Sequence, residues 1–387
     1  MKKIFFTIAF VAMAITVGAQ NIVTVSGTVV DAESGAPLTY CNCFLKHSNT
    51  GTSTGAEGVF SLKLKNNLLP DTLVVQFIGY ERAEFPLAKK DKDLGKIRLT
   101  PRNTELKEIT VSAKSIDWNK VLKAVFDSCI YKAYPSPSVA TTYYKETTEY
   151  YQEEVEKVEV ALDVFFPEKQ KKRRNRNGLL FSNCGKPDES FYITGLRKTD
   201  GGKIDPHPEK THNYYGIFDC NGLSLLLNSN IYLNKNVMFE KEMEKASYTL
   251  KRIDTIDGNK VLTLSGKIRK HNKSTEMEIS FDPEHHIIYY YKVSFTSYTK
   301  KGESTETIKY NYRVEDGYAM PLRFSHIMTE VEESKKFVLS EEALFSDIRP
   351  VTDSTEFAGE KASGKKSFEF QGLTYDKVFW DNYTVIE

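Results

Sequence analysis

The sequence predicts a mainly β protein, two separate β regions joined by one helix, and three observations predict it. Apolar and polar residues alternate from Ile22 to Leu99 and again from about Tyr248 to Asp347, the period of a strand with one buried face. Clusters of turn-forming residues interrupt both regions at short intervals. Between them the period changes to three and four over Ser115–Ala133. A hydrophobic content of 40%, with 22 Tyr and 23 Phe, supplies folded cores and favours strands.

The N-terminus has Lys2 and Lys3, an apolar stretch from Ile4 to Val17, and the small residues Val17-Gly18-Ala19, which together read as a cleavable secretory signal over residues 1–19. The expected protein is exported and periplasmic, working at the inner face of an outer membrane. The stretch is short for a membrane span and no later apolar run is longer, so any membrane association is expected to be peripheral. Gln20 and Asn21, rather than a cysteine, stand at the expected mature start, so a lipidated N-terminus is not expected. Removing the two signal lysines leaves 51 basic residues against 52 acidic ones, a balance that offers no field to nucleic acid.

The first β region, residues 20–113, holds the half-buried runs Val23, Val25, Val29; Phe60, Leu62, Leu64; and Leu73, Val75, Phe77. Turns at Asp31–Pro37, Asn49–Gly58 and Asn66–Asp71 space them as a sandwich of about seven strands requires. Three runs carry a resemblance: VSGTVVDAESGAPLTYCNCFL, GTSTGAEGVFSLKL and LVVQFIGYERAEFPL resemble the carboxypeptidase-regulatory-like, or transthyretin-like, domain. In Gram-negative envelope proteins that domain often ends in a segment like LKEITVSA, here Leu106–Ala113, ahead of a TonB-dependent receptor. The sequence after Ala113 is too short for a receptor plug and barrel, which sets that reading aside. The resemblance implies an accessory module, not a peptidase. None of the histidines (His47, His207, His212, His271, His285, His286, His326) begins an H-x-x-E or H-E-x-x-H pattern, so neither a catalytic zinc nor another cofactor is expected.

Residues 114–135 are the connecting segment, with a helix over Ser115–Ala133 that sets Trp118, Val121, Leu122, Val125, Cys129 and Ile130 on one face, Ser115 or Asp117 as cap, and Pro135 just beyond its end. The run WNKVLKAVFDSCIYKAYPSPSVATTYYKE is similar to the connector in a group of envelope proteins with the same accessory domain. The remaining domain, residues 136–387, starts with strands at Val139–Tyr151 and Lys157–Phe166 and a loop-rich insertion at about 167–220. A second helix is expected over Gly222–Tyr232, capped by Asn221. Of the five cysteines, Cys41 and Cys43 are next-but-one neighbours on a strand, poor geometry for a bridge. A disulfide, if one forms, joins Cys184 to Cys220, with buried free thiols as the equal alternative. The basic run Lys169–Arg176, with Lys171, Lys172, Arg173 and Arg174 at its centre, is a solvated loop or a docking patch for anionic lipid headgroups.

From Tyr248 to Asp347, turns at Asp257-Gly258, His271–Lys273, Asp282–Glu284, Lys300–Glu303, Glu315–Gly317 and Glu332–Ser334 mark seven consecutive antiparallel strands. One face is apolar and the other polar. Such a meander curls into a half-barrel, with one or two helices on its concave side. In architecture it resembles the lipoprotein-carrier, LolA-like fold, which implies a cavity for an acyl chain; the candidate lining, read from the alternation of the apolar face, is Tyr289, Tyr291, Phe295, Tyr310 and Tyr312. The alternative is that these aromatics are simply the core, since an apolar face must be buried somewhere. The terminal run LTYDKVFWDNYTVIE is similar to the ending of the same envelope group.

Catalytic patterns are sparse. Gly51-Thr52-Ser53-Thr54-Gly55 fits G-x-S-x-G, but it lies between two sandwich strands rather than at the strand-to-helix turn that exposes a nucleophile. His207, His212, Cys184 and Cys220 match no standard zinc spacing, and His285 and His286 point to opposite faces of a strand. His326 falls on an apolar parity as a satisfied core histidine, and Glu332-Glu333 and Glu341-Glu342 read as solvated turn charge. The expected function is non-enzymatic: a periplasmic, outer-membrane-associated binding protein for a lipid or other hydrophobic envelope ligand, partnered by an outer-membrane or periplasmic protein or lipid. An envelope hydrolase for glycans or esters, and a structural protein–protein interaction module, are the alternatives.

Overall fold

The computed structural model describes residues 22–48, 50–102, 116–133, 137–150, 153–166, 191–206, 230, 232, 246–300, 302–332, 335–353, 355–357, 360–361 and 374–383. The signal segment, the basic run with Lys171, Lys172, Arg173 and Arg174, the Cys184 and Cys220 pair, His207, His212 and most of the expected second helix lie outside these residues.

The first domain is a seven-strand sandwich: β1 (Ile22–Asp31), β2 (Asn42–Leu45), β3 (Gly51–Ser53), β4 (Val59–Lys65), β5 (Asp71–Gln76), β6 (Ala83–Leu87) and β7 (Lys92–Leu99). One sheet has the order β4-β1-β7 and the other β3-β2-β5-β6, with β1 and β7 parallel. The alternation of the sequence places Val23, Val25, Val29, Phe60, Leu62, Leu64, Leu73 and Val75 in the core between them. Cys41 and Cys43 are free thiols in that core. Gly58 lies at φ 72°, and a Cβ there would stand 2.4 Å from the Val29 carbonyl oxygen, so this turn requires glycine.

Helix α1 (Trp118–Cys129) is capped by Asp117, whose carboxylate accepts from the Lys120 amide at 3.1 Å, and one 3-10 turn follows at Ile130–Lys132. Leu122, Val125 and Cys129 are its buried stripe.

The large sheet contains β8 (Ser138–Tyr150), β9 (Glu153–Phe166), β10 (Phe191–Asp200), β11 (Lys203–Ile204), β12 (Ser247–Ile256), β13 (Asn259–Lys270), β14 (Lys273–Asp282), β15 (Ile287–Tyr298), β16 (Gly302–Glu315), β17 (Tyr318–Glu332) and β18 (Lys335–Pro350). Its order is β11-β10-β9-β8-β18-β17-β16-β15-β14-β13-β12, with a short β19 (Glu360–Lys361) added to β10. The sheet is antiparallel, curved and not closed. The seven strands expected after Tyr248 are all present. The stretch expected as a loop-rich insertion contains β10, hidden in the sequence because a register shift between Ile193 and Gly195 breaks its alternation. A terminal helix α2 (Lys377–Asn382) packs beside this bulge: Trp380 donates to the Leu196 carbonyl at 3.2 Å, and Arg197 lies 4.6 Å over its ring.

The sheet has two buried faces. Helix α1 and the main aromatic cluster occupy one. The sandwich docks on the other, through residues of opposite parity. Arg323, only 4% exposed, donates to the Thr54 carbonyl at 2.8 Å, pairs with Glu342 at 2.8 Å and lies 4.8 Å over the Tyr40 ring. Asn311 donates to the Tyr40 carbonyl at 3.2 Å, and Tyr40 donates to Ser325 at 3.3 Å. The G-x-S-x-G segment is part of this joint: Ser53 is buried, with its hydroxyl 3.5 Å from the Arg323 guanidinium.

Candidate functional site

Strand register sets out the helix-bearing face in rows. Ile279, Tyr291, Tyr310, Phe324, Ala343 and Tyr144 lie side by side across six strands, and all are buried. Tyr310 stacks on Tyr312 at 5.3 Å and meets Tyr291 at 5.8 Å and Phe324 at 5.2 Å. Tyr312 donates to Asn230 at 3.1 Å and meets the Tyr232 ring edge-on at 4.7 Å, while Tyr232 donates to the Ile288 carbonyl at 2.7 Å. Three of the five aromatics read from the sequence, Tyr291, Tyr310 and Tyr312, are thus packed together as core.

Tyr289 does not join them. A register shift beside Phe281 leaves Tyr289 between Ile288, paired with Phe281, and Tyr290, paired with Ser280. Its side chain therefore turns to the sandwich side, into a cluster with Ile256, Val261 and Ile287 that Ile78 of the sandwich joins. Strict alternation along Ile287–Phe295 was the wrong expectation, and the extra residue of a bulge is the reason.

The next row runs Met277, Val293, Ile308, His326, Glu341 and Glu146, apolar over three strands and ionisable over the next three. Tyr144 lies 2.8 Å from Glu341 Oε1 and 3.1 Å from Glu146 Oε2. The other oxygen of Glu341 is 2.5 Å from His326 Nδ1, and His326 Nε2 is 3.1 Å from Glu306. His326 and Glu341 are 5% and 3% exposed, whereas the Glu306 side chain is 35% exposed. Glu341 was expected in a solvated turn; it lies inside β18, on the parity of Ala343 and Phe345, and is buried. Burial, and then the charge of Glu341, push the Glu146 carboxyl up to about 8. Burial alone would lower His326, but hydrogen bonds and charge from Glu306 and Glu341 outweigh it and hold the imidazole at about 9. Burial first, with the two carboxylates next, raises the Tyr144 phenol.

A third row, Thr275, Phe295, Glu306, Met328, Leu339 and Thr148, follows one step further along the same face. Phe295, Met328 and Leu339 are half-buried. Two contacts from above tie the starts of β17 and β15: Ala133, just after α1, bridges to Ala319, and Tyr232 holds Ile288. Among the described residues, no group of three or more His, Cys, Asp or Glu is arranged to hold a metal ion, and no helix is long and apolar enough to cross a membrane.

These modules define a class first: an open antiparallel sheet with an apolar, partly ionisable face, carrying a β-sandwich on its other side. The sandwich has known counterparts. Residues 25–111 match the family model of the CarboxypepD_reg-like domain. The chain is 39% identical over 87 residues to the TonB-dependent receptor SusC of Bacteroides thetaiotaomicron, an alignment of 22% of this chain and 8% of that protein's length. For the larger part, a putative outer membrane lipoprotein-sorting protein domain from Vibrio parahaemolyticus aligns over 62% of this chain and 93% of its own, at 13% identity and a TM-score of 0.24. A LolA superfamily protein from Nitrosomonas europaea aligns over 59% and 93%, at 12% identity and a TM-score of 0.22. Scores this low do not establish a common fold.

Proposed function

We propose that the protein is an exported, non-catalytic binding protein of the bacterial cell envelope, periplasmic and associated with the outer membrane, that takes a lipid or other hydrophobic ligand on the helix-bearing face. One observation carries this reading: Phe295, Met328 and Leu339 form a half-buried apolar row at the margin of the face, two register steps along the strands from the fully buried row of Tyr310 and Phe324. Half-buried apolar side chains at the margin of such a face are surface an acyl chain would cover further, at about 0.8 kcal/mol for each methylene buried. Export rests on the signal segment, and association with the membrane on Lys171, Lys172, Arg173 and Arg174 meeting anionic headgroups.

The test is lipid mass spectrometry of the protein purified from its native envelope, with M328K and L339K beside wild type. The reading expects a stoichiometric lipid on wild type that both variants lose while keeping their far-UV spectrum. A protein that carries no lipid from its native envelope, and takes up none from vesicles, would be an interaction module instead.

A further inference from the structure

The line of side chains Tyr144, Glu146, Glu341, His326 and Glu306 crosses β8, β18, β17 and β16, and its contacts fix how many protons it holds. Tyr144 has one hydroxyl proton but lies within hydrogen-bond distance of two carboxyls, Glu341 at 2.8 Å and Glu146 at 3.1 Å. It can donate to only one. The second contact becomes a hydrogen bond only when that carboxyl brings its own proton, and because Glu341 already faces His326 Nδ1 at 2.5 Å, that proton falls to Glu146. His326 directs Nδ1 to Glu341 and Nε2 to Glu306. A neutral imidazole has a single N–H, so two carboxylate acceptors require the imidazolium. The complete line therefore holds two protons that the same residues, free in water at neutral pH, would mostly lack.

We propose that this line is a two-proton gate beneath the apolar ligand site, closed with both protons bound and opened by their loss. The inference rests on the proposed apolar site. Its position gives it that role, because it lies between the packed row of Tyr310 and Phe324 and the half-buried row of Phe295, Met328 and Leu339. Without the Glu146 proton, two carboxylates face the one Tyr144 hydroxyl. Without the His326 proton, Glu341 and Glu306 lose their shared cation. Buried like charges then draw water in under the apolar row, and the ligand leaves.

The charged groups beside the line come from β9, β16 and β18, while β15 sets the apolar Val293 and Phe295 against it. Glu156 of β9 adds a negative charge beside Glu146 and is itself paired with Lys198 of β10 at 2.9 Å. Glu306 and Glu341 flank His326 from β16 and β18. The extra negative charge favours retaining the protons at neutral pH, consistent with the raised Glu146 and His326 values, so the gate opens on the alkaline side.

The test uses the full mature chain and Nile red, an uncharged apolar dye with no titration of its own in the range. Wild-type affinity is expected to hold from pH 6 to 7.5 and to fall at least about tenfold by pH 9.5, the size of one coupled proton over one pH unit. E146Q keeps an uncharged donor toward Tyr144, and its affinity should fall later and less steeply. E306Q, at the more exposed end, should move the His326 titration down while leaving Glu146 in place. Carboxyl carbon and imidazole nitrogen NMR of the ligand-free protein gives the proton count independently. Glu146 ionised, or His326 neutral, at pH 7 overturns the gate, and so do superimposable pH profiles for wild type and E146Q. No dye binding at any pH overturns the apolar site and the gate with it. That failure stays distinguishable, because the NMR titration needs no ligand.

Discussion

Replacing Arg323 with alanine should partly uncouple the sandwich from the large sheet. The guanidinium, 4% exposed, donates to the Thr54 carbonyl, pairs with Glu342 and covers the Tyr40 ring. Breaking a buried ion pair by removing one partner costs about 3–5 kcal/mol. Glu342 is 34% exposed and regains water when its partner leaves, which places the loss near the low end, about 3 kcal/mol. Arg323→Lys keeps the charge but not the planar fork and should lose roughly half as much. The assay follows urea unfolding by two signals. Both tryptophans, Trp118 and Trp380, pack on the large-sheet side, so their fluorescence reports that part, while far-UV circular dichroism reports both. Wild type should give coincident transitions and R323A should give separated ones. Coincident curves for R323A, with a loss below about 1 kcal/mol, would refute a joint held by this residue.

Stability should fall as pH rises from about 6 to 9. Glu146 and His326 have folded values, about 8 and about 9, above their ordinary 4.5 and 6.5, so their contribution is full below the ordinary values and lost as pH climbs through the folded ones. Near pH 7 the folded chain holds between one and two extra protons, a slope of roughly 2 kcal/mol per pH unit, and a flat urea midpoint over that range would contradict it. Acid loss should begin only near pH 4, where Asp31, lowered to about 2 by the Ser34 amide and the Tyr80 hydroxyl, starts to protonate in the unfolded chain. Gly195→Ala should destabilise by about 1–3 kcal/mol, because its Cβ would stand 2.2 Å from the Phe379 ring. The loss should shrink in an F379A background, and equal losses in both would show that α2 is not the cause. Changing Lys171, Lys172, Arg173 and Arg174 to alanine should reduce co-sedimentation with anionic vesicles; unchanged sedimentation would remove that patch from the proposal.

Much of the architecture was legible because alternation and turn chemistry are local. Val23, Val25 and Val29 point into a core as their parity requires, and each hairpin from Asp257-Gly258 to Glu332–Ser334 sits at a turn signal. What escaped was in each case a long-range or off-register feature. One extra residue hid β10 at Gly195, and another turned Tyr289 away from Tyr291. Glu341 looked like solvent charge beside Glu342, although its parity with Ala343 and Phe345 marked it as buried. A carboxylate at an apolar parity, one strand from a histidine at an apolar parity, was the available signal. It was missed because the pairing of β17 with β18, which sets His326 against Glu341, is a tertiary fact.

The polar side of the alternation was misleading in a more instructive way. An antiparallel sheet with one apolar face is expected to be wet on the other, yet Asn311, Arg323 and Ser325 on that other face are buried, because the sandwich covers them. Polar parity thus identified a face, not its exposure. This changes what the accessory domain is. A module tethered only by a linker would leave Arg323 hydrated, and the chain would gain nothing from placing Thr54 and Tyr40 opposite it. Here the guanidinium has given up water for a backbone carbonyl and an aromatic ring, an exchange that is favourable only while the sandwich stays seated. The sandwich therefore holds the strands β17 and β18 from behind, and the same two strands bring His326 to Glu341 in front. Loosening Arg323 should for that reason disturb the proton-holding line on the opposite face, lowering the pH at which His326 titrates, whereas an independent accessory domain would leave that titration unmoved.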